Sequence, residues 1–171
     1  MAKKSASGGT PATLALTGAG IEHRLHAYEH DARAASFGLE AAEALGLALD
    51  LDPARVFKTL MASVDGRLAV GIVPVSGRLD LKALARALGA SRATMAEVEA
   101  AERATGYVAG GISPVGQKKA HPTVLDASAL MHPTVFVSAG RRGLDVELAP
   151  ADLVAITGAI TAEIGRSRDV R

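Results

Sequence analysis

The chain has 171 residues, with 19 Lys and Arg against 18 Asp and Glu, a net charge of +1. It contains no cysteine, which excludes disulfides, thiolate metal centres and a cysteine nucleophile. Nearly half of it is apolar (49%) but only 3% is aromatic, so the core must be built from Ala, Leu, Val and Ile, and the ring platforms of broad single-strand nucleic-acid binders are missing.

A domain of this size buries roughly 70% of the surface its unfolded chain exposes and needs no metal or disulfide to fold. Balanced charge leaves nucleic-acid binding to a local basic patch; the two basic pairs, Lys118-Lys119 and Arg141-Arg142, read as solvated turns. No apolar signal-peptide core follows Lys3-Lys4, and no stretch approaches the roughly 20 apolar residues of a membrane span. The expectation is a soluble cytoplasmic protein without a membrane segment.

Residues 1–9 read as a flexible tail and 10–171 as one domain. Thr10-Pro11 combines an N-cap with proline at the first helical position, and Gly18 or Gly20 ends that helix. Ile21–Tyr28 reads as a strand, Ser36 caps a helix running to Gly46, and Asp52-Pro53 starts a short turn. Asp65-Gly66 joins Phe57–Val64 to Leu68–Val75 as a hairpin. Asp80 caps a helix that stops at Gly89, and another covers Glu97–Ala104. Thr134–Ser138 and Leu144–Leu148 form a second hairpin through Gly140-Arg141-Arg142-Gly143, and Pro150 opens a last helix from Ala151 to about Arg166. Hairpins outnumber crossover units, which points to an α/β domain with a mixed, largely antiparallel sheet surrounded by helices.

Lys58 lies in Val56-Phe57-Lys58-Thr59-Leu60-Met61, a run with the composition of a buried strand. An ammonium there costs free energy unless it reaches water or an anion. Gly110-Gly111-Ile112-Ser113-Pro114-Val115-Gly116-Gln117 is a loop rich in bare backbone amides; with Lys58 it marks a site for an anionic or carbonyl-bearing ligand. It is not a nucleotide P-loop, because Gln117 and Lys118 stand where lysine and a hydroxyl residue are required.

The five histidines include no HExxH pair, so neither a metal nor a cofactor is expected. No Gly-x-Ser-x-Gly elbow supports Ser113 or Ser138 as a nucleophile. Alternation in Leu144-Asp145-Val146-Glu147-Leu148 places both carboxylates on one face. That face is either solvated or turned into the pocket of Lys58, where Asp145 could pair with the ammonium. Tyr28 reads equally as a packed strand-end ring or a ligand contact.

Tyr28-Glu29-His30-Asp31, Phe37-Gly38, Phe57-Lys58-Thr59-Leu60, Pro74–Lys82, Thr105-Gly106-Tyr107, Gly110–Lys119 and Gly140–Leu148 together resemble the YbaK/EbsC family of aminoacyl-tRNA deacylases, relatives of the prolyl-tRNA synthetase editing domain. The resemblance runs from about Thr10 to Ile164. It implies a curved, barrel-like sheet with a central pocket, and hydrolysis of the ester joining an amino acid to the 3′ end of tRNA, with Cys-tRNA(Pro) as substrate. By the family pattern Lys58 binds and orients the substrate end, and Gly110, Gly111, Ile112, Ser113 and Pro114 flank the acyl group. Tyr28, Phe37, Thr59, Ser138 and Asp145 fall at pocket positions. The family mechanism uses the substrate's own thiol, which leaves as a cyclic thiolactone. Prolyl-tRNA synthetase is the partner that this implies. The segment 47–52 looks longer than the family pattern and could alter how the tRNA end enters. Two alternatives stand beside this reading: an Ala-tRNA(Pro) deacylase of the same fold, and a non-catalytic module that binds aminoacyl-tRNA or a synthetase.

Overall fold

The computed structural model describes residues 9–29 and 37–167. All of the expected tail at 1–9 except Gly9, the cap at Ser36 and the pair His30-Asp31 lie outside them. In chain order the described elements are α1 (Pro11–Gly18), β1 (Arg24–Ala27), α2 (Phe37–Leu49), a 3-10 turn (Pro53–Arg55), β2 (Phe57–Val64), β3 (Arg67–Pro74), β4 (Gly77–Leu79), α3 (Leu81–Ala87), β5 (Ala93–Met95) and α4 (Val98–Thr105). There follow β6 (Thr123–Asp126), a second 3-10 turn (Ala127–Met131), β7 (Val135–Arg141), β8 (Leu144–Leu148), α5 (Pro150–Thr157), β9 (Ile160–Ala162) and β10 (Gly165–Ser167).

Three sheets carry the fold. A five-stranded mixed sheet has the order β5-β2-β3-β6-β9, an antiparallel sheet the order β1-β8-β7, and β10 pairs with β4. Pairing is antiparallel except at β3–β6 and β6–β9. A parallel bridge between Val56 and Phe136 joins the first two sheets. They stay distinct and do not close into a barrel among the described residues. The main core lies between them, with Phe57, Met61 and Ile72 from one sheet meeting Val135, Val137, Leu144, Val146 and Leu148 from the other.

Local chemistry explains the element starts. Thr10 and Thr13 form a capping box, Thr10 Oγ1 accepting from Thr13 N at 3.1 Å while Thr10 N donates to Thr13 Oγ1 at 3.2 Å. Thr10 Oγ1 also donates to the Ala139 carbonyl at 2.6 Å, so the cap fastens α1 to β7. Asp52 and Asp80 accept from Ala54 N and Ala83 N and start the next turn and α3.

Two boundaries differ from expectation. α2 passes through Gly46 to Leu49 and stops where Asp50 turns left-handed at φ 53°; one glycine costs a helix only about 1 kcal/mol, and the alanines and leucines around it supply the propensity. The last helix ends at Thr157, not near Arg166, because Gly158 caps it at φ 70°. The chain then adds β9 beside β6 and β10 beside β4. Asp126 Oδ1 fixes the link between them by accepting from Ile164 N (2.9 Å) and Gly165 N (2.8 Å).

Candidate active site

A cavity of about 510 Å3 opens along the edge of β2. β5 pairs with β2 only at Ala62–Val64, so among the described residues Phe57–Met61 have no strand beside them on that side. The Met61 carbonyl accepts from Ala96 N at 3.1 Å. Thr59, two residues earlier, therefore directs its own backbone groups to the same side, into the cavity. An open strand edge also lets residues from both faces of β2, Lys58 and Leu60 as well as Phe57, Thr59 and Met61, reach one wall.

The other walls come from distant sequence. Ser138 on β7 and Asp145 on β8 sit opposite one another in the ladder and both line the cavity, with Tyr28 just past β1. Ala109, Gly110 and Ile112 supply the loop side, while Met95, Val98 and Ala101 give an apolar flank. Val98 and Ala101 lie on the helix expected at Glu97–Ala104, but the sequence carried no signal for Met95, because β5 is three residues long and has no alternation to read.

The glycine loop is rigid, and its glycines have separate reasons. Gly110 takes φ 87°, accessible to glycine at little cost. A Cβ on Gly111 would lie 2.8 Å from the Cα of Arg141, so close packing on the β7–β8 turn requires glycine here. Arg142 Nε donates to the Ala109 carbonyl at 2.8 Å, and Ala109 N donates to Glu102 Oε2 at 2.8 Å. At the far end the buried Tyr107 hydroxyl donates to the Val115 carbonyl at 2.7 Å, and Gln117 Nε2 donates to the Ser113 carbonyl at 2.9 Å. Arg142, read from sequence as part of a solvated basic turn, is thus exposed yet braces the site.

Ser113 is fully buried, its Oγ accepting from Val115 N at 3.1 Å. It, Gly111 and Pro114 stand behind the cavity wall instead of on it. The side chain of Phe37 lies outside the described residues. Lys58, Thr59, Tyr28, Gly110, Ile112, Ser138 and Asp145 are brought together.

The shared face of Asp145 and Glu147 is covered, and the two acids have opposite surroundings. Glu147 faces a second recess, where Oε1 meets His26 Nε2 at 2.9 Å and Oε2 accepts from Thr134 Oγ1 at 2.6 Å. Burial opposes its charge, but Thr134, His26 and Arg55 outweigh burial and hold its pKa below the usual value. Asp145 is 4% exposed, and burial raises its pKa to about 7. Its carboxylate makes no hydrogen bond or ion pair among the described residues, so the pair with Lys58 that alternation allowed is not formed. Burial, then the Asp145 charge, also push the Tyr28 phenol well above its ordinary range. Thr59 Oγ1 is buried without a hydrogen-bond partner, the one such side-chain atom among the described residues.

No group of three or more His, Asp or Glu among the described residues is placed to hold a metal ion, and no described helix is long and apolar enough to cross a membrane. Residues 38–156 match the family described as the aminoacyl-tRNA editing domain. The chain belongs to that family, in its YbaK/EbsC branch. It is 39% identical over 126 residues, 72% of this chain and 76% of the other, to an Enterococcus faecalis protein named as a candidate Cys-tRNA(Pro)/Cys-tRNA(Cys) deacylase, EbsC. The fold is shared with a crystal structure described as a candidate trans-editing enzyme for prolyl-tRNA synthetase (24% identical, TM-score 0.79, 92% of this chain and 96% of that one). A chain from a study of epitope backbone grafting onto scaffold proteins has it too (26% identical, TM-score 0.78, with the same coverage). The enzyme class of the family is aminoacyl-tRNA deacylase, and the chain is assigned to it.

Proposed function

We propose that this deacylase clears cysteine from mischarged Cys-tRNA(Pro), acting in trans and in the cytoplasm on tRNA released by prolyl-tRNA synthetase. The observation that carries the reading is the meeting of Lys58 with the Gly110 loop on one cavity, without a protein nucleophile paired to a base among the described residues. The Ser113 hydroxyl is occupied inside its loop and Ser138 Oγ accepts from Gly140 N at 3.2 Å. A site with cationic and amide donors but no activated nucleophile works by positioning the ester and stabilising its oxyanion.

The nucleophile then comes from the substrate. The cysteinyl sulfur attacks the ester carbonyl carbon, the carbonyl–ribose bond breaks, and the thiol proton ends on the ribose oxygen as the thiolactone leaves. Lys58 and the backbone amides at Gly110 and Ile112 are the groups suited to the developing negative charge. A cavity of about 510 Å3 admits alanyl as readily as cysteinyl esters, and a missing thiol is a small change for a binding pocket. Selection therefore falls on chemistry: an alanyl ester binds but brings no sulfur. An Ala-tRNA(Pro) enzyme of the same fold would need to activate water instead.

The test is hydrolysis of labelled Cys-tRNA(Pro) and Ala-tRNA(Pro) by the wild-type protein and Lys58→Ala. The cysteinyl ester should disappear rapidly, the alanyl ester slowly, and the variant should lose roughly 100- to 1000-fold in rate, as when one oxyanion donor is removed. Faster loss of the alanyl ester would move the substrate. Turnover of neither would leave a binding module.

A further inference from the structure

Asp145 is an anomaly of the cavity. A carboxylate taken out of water is stabilised by partners or gives up its charge, and this one has neither hydrogen bond nor ion pair among the described residues while being 4% exposed. It lines the same cavity as Thr59 and Lys58. A carboxylate without a partner on a cavity wall calls for a ligand that supplies a cation.

The tRNA end offers one such group. Its phosphates repel Asp145, its ribose and base are neutral, and the aminoacyl moiety carries an α-ammonium one carbon from the reacting carbonyl. Lys58 and Gly110 on one side of the cavity are suited to that carbonyl, and Asp145 with Ser138 lies on the strands of the other sheet. Taking the deacylase reading as its basis, we infer that Asp145 is the receptor for the substrate's α-ammonium and so distinguishes aminoacyl-tRNA from tRNA whose amino group is blocked. A peptidyl, formyl or acetyl ester has an amide in place of the ammonium. It would leave the carboxylate buried and unpaired and would be refused. The site thereby edits free aminoacyl esters while sparing peptidyl-tRNA in the same compartment.

The test uses 3′-(L-cysteinylamino)-3′-deoxyadenosine, an amide that cannot be cleaved, and its N-acetyl derivative. Binding of each to the whole wild-type chain and to Asp145→Asn is measured by calorimetry at pH 8, beside hydrolysis of Cys-tRNA(Pro). Wild type should prefer the free amine by roughly 100-fold, the scale of a buried charge pair losing one partner. Asp145→Asn should bind both within about threefold, since the amide has no charge to satisfy. Equal affinities in wild type overturn the ammonium site whatever the variant does, so a variant that failed to fold would not rescue it. An undiminished preference in a folded Asp145→Asn also overturns it. Loss of the deacylase reading appears separately, as wild-type protein that binds the free amine but leaves Cys-tRNA(Pro) intact.

Discussion

Replacing Asp145 by Asn should stabilise the protein above neutral pH and lose that advantage in acid. The carboxyl has a pKa of about 7 in the folded protein against an ordinary 3.8, with burial as the cause. A raised acid binds its proton more tightly in the native state, so its contribution to stability is complete below pH 3.8 and declines as pH rises to about 7. The shift of about 3 units amounts to about 4 kcal/mol, of which about 3 kcal/mol is lost between pH 5 and pH 8. Asparagine keeps the shape, removes the charge and leaves an amide whose unmet hydrogen bonds cost about 1–3 kcal/mol. The variant should therefore be about 2 kcal/mol more stable at pH 8, which raises Tm by about 4–8 °C for a chain of this size, and no more stable than wild type at pH 5. Tyr28 and Lys58 line the same cavity and His26 sits opposite Asp145 in the ladder, and all three are common to both proteins, so the difference isolates the Asp145 carboxyl. Urea unfolding of both proteins from pH 5 to pH 8 gives that difference directly. A gap that stays constant with pH, or a variant less stable at pH 8, would refute the claim that Asp145 is buried without compensation.

Gly111→Ala should destabilise the fold by about 1–3 kcal/mol, because the new methyl meets the Arg141 Cα at 2.8 Å and neither backbone can yield without moving the other; an unchanged urea midpoint would show that the loop does not lean on the β7–β8 turn. Thr10→Ala removes the cap of α1 and its tie to Ala139 and should cost about 1–2 kcal/mol, read from the same unfolding curves. Activity at temperatures well below the melt should survive the Thr10 change, since Thr10 touches no wall of the cavity.

The sequence by itself determined what rests on neighbouring residues. Thr10-Pro11, Asp52-Pro53 and Asp80 start their turns and helices because a side-chain oxygen reaches a backbone N–H within three residues. Asp65-Gly66 turns a hairpin because both residues take positive φ. Lys58 in an apolar strand and the amide-rich glycine loop marked the site, and the order of the motifs identified the family. Local signals mislead where they conflict: Gly46 signals a stop inside a continuing helix, and the segment after Gly158 has helical composition although Ile160 and Thr161 are β-branched and pair with β6.

Only the tertiary structure decided what each of those residues does. Alternation put Asp145 and Glu147 on one face but gave no account of what covers it, and one acid proved ion-paired while the other is buried without a partner. Gly111 packs against a hairpin turn and the Ser113 hydroxyl is bonded inside the loop itself, contacts that the motif does not record. Met95, on the apolar flank, has no sequence signature. A cavity is made by strands and loops far apart in sequence meeting at an unpaired strand edge. Burial, electrostatic cost and access there depend on the neighbours across the gap, and short-range periodicity carries no record of them.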